Sequence, residues 1–126
     1  MPKKSIFILC ALLFLLSACA ASESAAKPVE AYLQSIVDQD ADRLSTLVCS
    51  EWADEAVLEL DAFMGVEAEL NNVACSEVEV NGDIASVTCT GSILATYNNE
   101  NQQFSLEGRE YRVIKESGEW LVCGYQ

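Results

Sequence analysis

The apolar residues of this chain change period once, from helical spacing before Gly65 to alternation after Val73, and few folds accommodate that switch. Val29, Tyr32, Leu33, Ile36 and Val37 follow the i, i+3, i+4, i+7, i+8 pattern of one buried helical stripe, opened by Lys27-Pro28 with proline in the first turn. Asp38–Asp42 interrupts it as an acidic corner, and Leu44, Leu47 and Val48 resume an apolar face leading to Cys49. Ser50 then reads as the N-cap of a further helix bearing Trp52, Ala56, Leu60, Phe63 and Met64, with Glu51, Asp54, Glu55 and Glu59 off that face and Gly65 as the stop. Beyond Val73, Val78 and Val80 alternate with Glu77 and Glu79, and Asn81-Gly82-Asp83 is a hairpin turn. A long strand Ile84–Tyr97 follows, with a bulge or bend at Gly91. A third strand carries Phe104, Leu106, Tyr111, Val113 and Ile114, with an interruption at Gly108; a fourth carries Trp120, Val122 and Tyr125. Helices first and an antiparallel meander after them predict an α+β domain: helices packed on one face of a curved four-stranded sheet.

The N-terminus carries a separate signal. The basic start Pro2-Lys3-Lys4, the apolar run Ile6–Leu16 and the small residues before Cys19 have the form of a secretory signal peptide. The apolar run is shorter than the roughly 20 residues that a membrane span needs. Leu16-Ser17-Ala18-Cys19 resembles the bacterial lipobox, in which the cysteine is acylated and becomes the first residue of the mature protein. The resemblance implies a lipoprotein signal peptide over 1–18, a lipidated Cys19 with a tether over 19–27, and a folded domain over 28–126. One acyl chain alone holds only marginally, at about 0.8 kcal/mol per buried CH₂, and lipoproteins of this kind carry more than one. The expected address is therefore the outer face of a bacterial membrane. Ala20 after the cysteine permits passage to an outer membrane by Gram-negative sorting; which membrane stays open.

Charge and composition exclude several functions. The net charge is −13, and loss of Lys3 and Lys4 makes the mature chain more acidic still. Nucleic-acid binding rests on lysine and arginine, so a nucleic-acid partner is not expected. Electrostatic docking on anionic headgroups is disfavoured too, which leaves the lipid on Cys19 as the membrane contact. There is no histidine. Ser-His-Asp and Cys-His nucleophiles and His-ligated zinc are therefore absent, whereas carboxylate chemistry stays open.

Cys10 leaves with the signal and Cys19 takes lipid, so Cys49, Cys75, Cys89 and Cys123 remain. In an oxidising compartment these form two disulfides, with three connectivities open. No pair has the Cys-x₂-Cys spacing of a zinc site or a redox motif. A two-residue Asn81-Gly82 turn places Ala74 opposite Cys89, whereas a three-residue Asn81-Gly82-Asp83 loop places Cys75 there. We expect Cys75–Cys89, with Cys49–Cys123 tying the helices to the last strand. Asp38-x-Asp40-x-Asp42 has the alternating oxygens of an EF-hand loop. Arg43 stands where its turn glycine belongs and Cys49 where its bidentate glutamate belongs, so no metal and no cofactor is expected.

The helical stretch Tyr32…Leu33…Gln39-Asp40…Leu44, the hairpin Val78-x-Val80-Asn81-Gly82-Asp83-x-Ala85-x-Val87 and the closing Gly118-Glu119-Trp120-Leu121-Val122 together resemble the NTF2-like fold, also seen in SnoaL-like and ketosteroid-isomerase-like proteins. The resemblance covers roughly residues 28–125. More narrowly, the ending Val122-Cys123-Gly124-Tyr125 is similar to small exported lipoproteins. An NTF2-like fold implies a cone enclosing a cavity, in which some members hold an aspartate as general base while others bind ligands or pair as dimers. Tyr32, Trp52, Phe63, Tyr97, Tyr111 and Trp120 are the candidates to line it, although aromatics at such spacings more often form plain core. Asp40 and Asp61 lie near the apolar faces, and no neighbouring motif singles either out as catalytic.

The leading expectation is a lipid-anchored, extracytoplasmic binding or interaction module. Its partner is a small apolar ligand in the cone or an envelope protein on the open sheet face. The alternatives are a carboxylate-dependent isomerase, dehydratase or lyase, and a purely structural envelope lipoprotein forming a homodimer. They differ in the cone: an enzyme needs a buried acid at the end of a wet pocket, a binder an apolar void with no such acid, and a structural dimer a filled cone with an exposed apolar sheet face.

Overall fold

The computed structural model of the chain describes residues 23–126; the signal segment and Cys19 lie outside the described residues. Three helices, α1 (Ala26–Asp38), α2 (Ala41–Leu47) and α3 (Ala53–Ala62), precede five strands. These are β1 (Glu67–Asn81), β2 (Ile84–Tyr97), β3 (Glu100–Ser105), β4 (Glu110–Glu116) and β5 (Glu119–Tyr125). The class is α+β, with the helices laid on one face of a curled antiparallel sheet. Among the described residues no helix is long and apolar enough to cross a membrane.

The stripe Val29, Tyr32, Leu33, Ile36 and Val37 is buried along α1 and packs on the inner sheet residues Ala85, Val87, Ile93, Tyr111, Val113 and Val122. Burial of the larger of these side chains stabilises by about 1.5–3 kcal/mol each. The helix begins within the stretch expected as tether. Ala25 is fully buried, and its N–H donates to Glu77 Oε1 at 2.6 Å. The acidic corner is a helix-to-helix joint. Gln39 closes α1 in the left-handed conformation at φ 56°, and Asp40 caps α2 by accepting from the Arg43 N–H at 3.0 Å. Asp38 accepts from Gln34 Nε2 at 2.9 Å.

Ser50 does not cap α3. Trp52 holds the N-cap position with no side-chain capping bond, and Ser50 lies in the turn closed by the Trp52 N–H onto the Cys49 carbonyl at 3.1 Å. The cause is tertiary. The Cys49 N–H donates to the Val122 carbonyl at 3.0 Å and its sulfur is bonded to Cys123, so the chain is held to β5 before α3 can start.

The sheet has the order β1-β2-β4-β5, with β3 paired to β2 as well. Strand β2 is the spine: β1 runs along one edge, while β3 and β4 divide the other. The expected third strand is therefore two, separated at the turn where Leu106 is buried and its N–H donates to the Gly91 carbonyl at 3.0 Å. Strand β1 also starts earlier than Val73, because Ala68 and Leu70 already alternate with Glu67 and Glu69.

The hairpin reaches its register by a route that neither expected turn describes. Asn81 pairs with Ile84, so the loop is Gly82-Asp83, with glycine at φ 61° in the first loop position. A bulge between Glu77 and Glu79 then shifts the ladder by one and sets Cys75 opposite Cys89, Cα to Cα 4.0 Å. The disulfides are Cys75–Cys89 and Cys49–Cys123.

Candidate functional site

A half-open cleft of about 530 Å³ lies between the end of α3 and the β2–β3 half of the sheet. Its walls are apolar: Phe63 and Val66 from the helical side, Ile93 and Ala95 from β2, and Phe104 from β3. Phe63 and Phe104 meet edge to face, with ring centroids 6.4 Å apart, and Tyr97 stands exposed at the mouth.

Its floor is polar and built from α1, α3, β5 and the turn before β4. Glu59 of α3 sits at the centre, its side chain 15% exposed. Tyr32 of α1 donates to Glu59 Oε2 and itself accepts from Trp52 Nε1 at 3.2 Å. Tyr125 of β5 donates to Glu59 Oε1 at 3.4 Å. Arg109, just before β4, places Nη1 3.7 Å from Glu59 Oε1 and its guanidinium over the Tyr125 ring, 4.8 Å from the centroid. That separation is an ion pair but too long for a hydrogen bond. Beside it, fully buried Tyr111 packs against Tyr125 at 5.1 Å. Among the described residues, Arg109 Nη1 and the Tyr111 hydroxyl are both buried, with the guanidinium set against the phenol oxygen.

The charges follow from this packing. Burial pushes the Tyr32 phenol well above its usual range, and the neighbouring Glu59 carboxylate pushes it further. Burial carries Tyr111 up to about 12 against the opposing pull of Arg109. Burial and Glu59 also raise Tyr125. These phenols are neutral donors at physiological pH, so the Glu59 carboxylate is surrounded by two hydroxyl donors and a cation.

An alkaline limit on stability follows. An unfolded tyrosine ionises near 10.0 whereas native Tyr111 holds its proton to about 12, so the native state binds more protons in that window. Stability is therefore intact below pH 10.0 and falls as pH rises toward about 12, by on the order of 3 kcal/mol from Tyr111 alone. Thermal melts at about pH 8 and about pH 11 measure it. Tyr111→Phe should show a smaller drop than the wild type; an equal drop in both would refute the assignment.

The structure distributes the sequence candidates unequally. Phe63 and Tyr97 line the cleft, while Tyr32 and Tyr111 are fully buried beneath its floor and form core as much as site. Trp52 packs edge to face on Tyr125 at 5.7 Å and donates to Tyr32, so it backs the floor without lining the cleft. Trp120 is elsewhere, with Lys115 Nζ 5.4 Å from its ring, beside a groove shared with Pro28 and Leu47. Asp40 and Asp61 are exposed, which removes both as buried acids. The acid in the cleft is Glu59, which the sequence reading set among the solvated acids. It belongs to the stripe Trp52, Ala56, Glu59, Leu60, Phe63, and an acid on such a stripe was the available signal.

No protein-family model and no curated protein matches the chain. In structure it is similar to a protein of unknown function with a cystatin-like fold from Nostoc punctiforme PCC 73102. That likeness has a TM-score of 0.53 and 14% identity, covering 79% of this chain and 84% of that one. It is also similar to a chain named Rd1NTF2_05, with a TM-score of 0.51 and 15% identity, covering 79% of this chain and 94% of that one. At such identities the likeness is one of fold: helices followed by a curled antiparallel sheet of the NTF2-like kind.

Proposed function

We propose that this chain is an extracytoplasmic, lipid-anchored binding module, held at the outer face of a bacterial membrane through acyl chains on Cys19, whose cleft takes a small, mainly apolar ligand. The observation that carries the reading is the cleft: apolar walls over a polar floor that holds Glu59, Arg109 and Tyr125. A cleft of about 530 Å³ is within the size of small-molecule sites, and an apolar lining with a few convergent polar groups is their usual make-up. A purely structural dimer would call for a filled cone. Two disulfides fit an oxidising compartment. The signal segment and Leu16-Ser17-Ala18-Cys19 support the anchor.

One observation favours a second reading. Glu59, a partly buried acid at the cleft floor, is of the kind that a carboxylate-dependent isomerase, dehydratase or lyase uses. Against it, both carboxylate oxygens are already engaged: Oε2 by Tyr32, Oε1 by Tyr125 with Arg109 close by. A base in that setting must give up a hydrogen bond before it takes a proton, so binding is preferred.

Native mass spectrometry of the Cys19→Ser chain, exported by its own host and recovered from the soluble fraction, tests the reading. The expected result is a bound mass that leaves on mild activation and is missing from an Ile93→Trp variant that fills the cleft. A bare monomer overturns the ligand, and a bare dimer favours the structural reading. Continued membrane partitioning of the Cys19→Ser chain overturns the anchor.

A further inference from the structure

The segment that leads from Cys19 joins the domain at one end, and that end differs from the rest of the surface. Glu23 and Lys27 line a half-open groove with Pro28, Leu47, Trp120 and Leu121, where the start of α1 meets the β4–β5 turn. Trp120 is half-buried, and Lys115 Nζ stands 5.4 Å from its ring. Of the 7 lysines and arginines, Lys3 and Lys4 leave with the signal, and Lys27 and Lys115 stand here. The β1–β2 hairpin comes to the same end. Its Glu77 accepts from the Ala25 N–H, and the Asp83 carbonyl accepts from the Lys115 N–H at 2.7 Å. Its Val78, Val80 and Ile84 are exposed. The cleft lies at the other end of α1, where Gln39 Nε2 donates to the Phe63 carbonyl at 2.6 Å and the Val66 carbonyl at 3.0 Å. The 13 residues of α1, about 20 Å of helix, separate the two ends.

Resting on the reading of Cys19 as the lipid anchor, we infer that this end is a membrane-docking face whose partner is a zwitterionic phospholipid surface. Reach is the first argument. Only Ala20, Ala21 and Ser22 lie between Cys19 and Glu23, and a link of that length spans at most about 14 Å. A Cys19 acylated in the bilayer therefore keeps the groove within that distance of the headgroups. So short a link also holds the face at an effective concentration on the order of millimolar, at which individually weak contacts are made. Chemistry is the second argument. Tryptophan, with an apolar body and a polar N–H, suits the headgroup boundary. The lysines lay their apolar stems along it and extend their ammonium groups to phosphate, while Val78, Val80 and Ile84 add apolar surface. Charge then selects the lipid. The exposed Glu23, Glu79, Asp83, Glu116 and Glu119 outnumber the two lysines, so an anionic bilayer is repelled, whereas a headgroup carrying both signs serves both sets. Docked in this way, α1 points its C-terminal end away from the bilayer. The cleft opens to the aqueous side, about 20 Å above the headgroups, and receives its ligand from solution rather than from the lipid.

The chain recovered from the membranes of its own host and reconstituted in phosphatidylcholine nanodiscs tests this. A small fraction of the lipid carries a nitroxide on its headgroup, which broadens the resonances of nearby rings. The expected result is that Trp120 is broadened several-fold more than Tyr97 at the cleft mouth. Replacing half of the lipid with phosphatidylglycerol should reduce the broadening of Trp120. Lys27→Glu combined with Lys115→Glu should reduce it as well while the chain stays in the disc, since neither side chain belongs to the core. Equal broadening of Trp120 and Tyr97, or stronger broadening of Tyr97, overturns the docking face and leaves the anchor standing. Broadening of Trp120 that rises with phosphatidylglycerol overturns the zwitterionic partner. Unaltered broadening in the double variant overturns the part given to the lysines. A chain that carries no acyl mass and stays out of the discs overturns the anchor, and this inference with it.

Discussion

Gly91→Ala is expected to destabilise the domain by about 3–5 kcal/mol, one of the two largest effects among these predictions. Two causes add. Gly91 has φ 92°, where an L side chain is strained. A Cβ built there would also lie 2.5 Å from the Asn72 carbonyl oxygen and 2.6 Å from that of Asn71. Both atoms are backbone, in the segment where β1 bulges between Asn71 and Ala74, so no side-chain rotation relieves the overlap. The strands would have to part beside the bulge, next to the β2–β3 pairing that lines the cleft. The control is Gly108→Ala. Gly108 has φ 87°, but a Cβ there meets nothing within 4 Å, so only the backbone strain of about 1–2 kcal/mol remains. Thermal melts should place Gly91→Ala roughly 12–25 °C below wild type, with Gly108→Ala much closer to it. Equal shifts for the two variants would mean that the close approach across the bulge is not what Gly91 serves.

The same bulge marks a boundary on what could be read from the residues alone. The stripe of α1 was legible because burial on one face imposes a period, and Val29 through Val37 keep it without exception. Gly91 inside a strand pattern pointed to a bulge or bend, and the extra residue of the bulge lies opposite it, on β1. The ladder shifts near Asn72 and Val78 were not legible, because a bulge is a relation between two strands and neither strand records it by itself. This is why two turn geometries were open for Asn81-Gly82-Asp83 and neither is the one adopted. The floor of the cleft was hidden for another reason. In a chain with 20 acidic residues, one more glutamate on a helix reads as surface, and Glu59 is distinguished only by its place on the stripe with Trp52, Ala56, Leu60 and Phe63. Arg109 lies in the turn between β3 and β4, where no period applies. Its approach to Glu59 spans 50 residues of chain and depends on how β4 and α3 meet. Side chains that a single element buries are visible in its pattern, whereas a site assembled from α1, α3, the turn before β4 and β5 is visible only once those elements are packed.

Removing the Cys49–Cys123 bridge is expected to cost more than removing Cys75–Cys89, by a margin that thermal melts resolve. The paired substitution Cys49→Ala with Cys123→Ala opens a loop of 74 residues, for which chain entropy gives about 4–5 kcal/mol. The pair Cys75→Ala with Cys89→Ala opens a separation of 14, for which the same relation gives about 3 kcal/mol. Local structure widens the difference. Cys75 and Cys89 sit in strands already joined by a long ladder on either side, so the backbone keeps them adjacent without the sulfur bond. Cys49 has far less support: one N–H to the Val122 carbonyl at 3.0 Å and the isolated parallel bridge of Val48 with Val122. It is also the point from which α3 departs, and Cys123 stands two residues before Tyr125, so the bridge connects the elements that bring Glu59 and Tyr125 together. Loss of Cys49–Cys123 should therefore diminish the bound mass seen by native mass spectrometry at temperatures where the protein is still folded, whereas loss of Cys75–Cys89 should lower the melting temperature and leave that bound mass in place. If the two paired variants lose stability equally and bind alike, the bridge between helices and sheet has no special part in holding the cleft, and packing of Trp52 against Tyr125 must hold it instead.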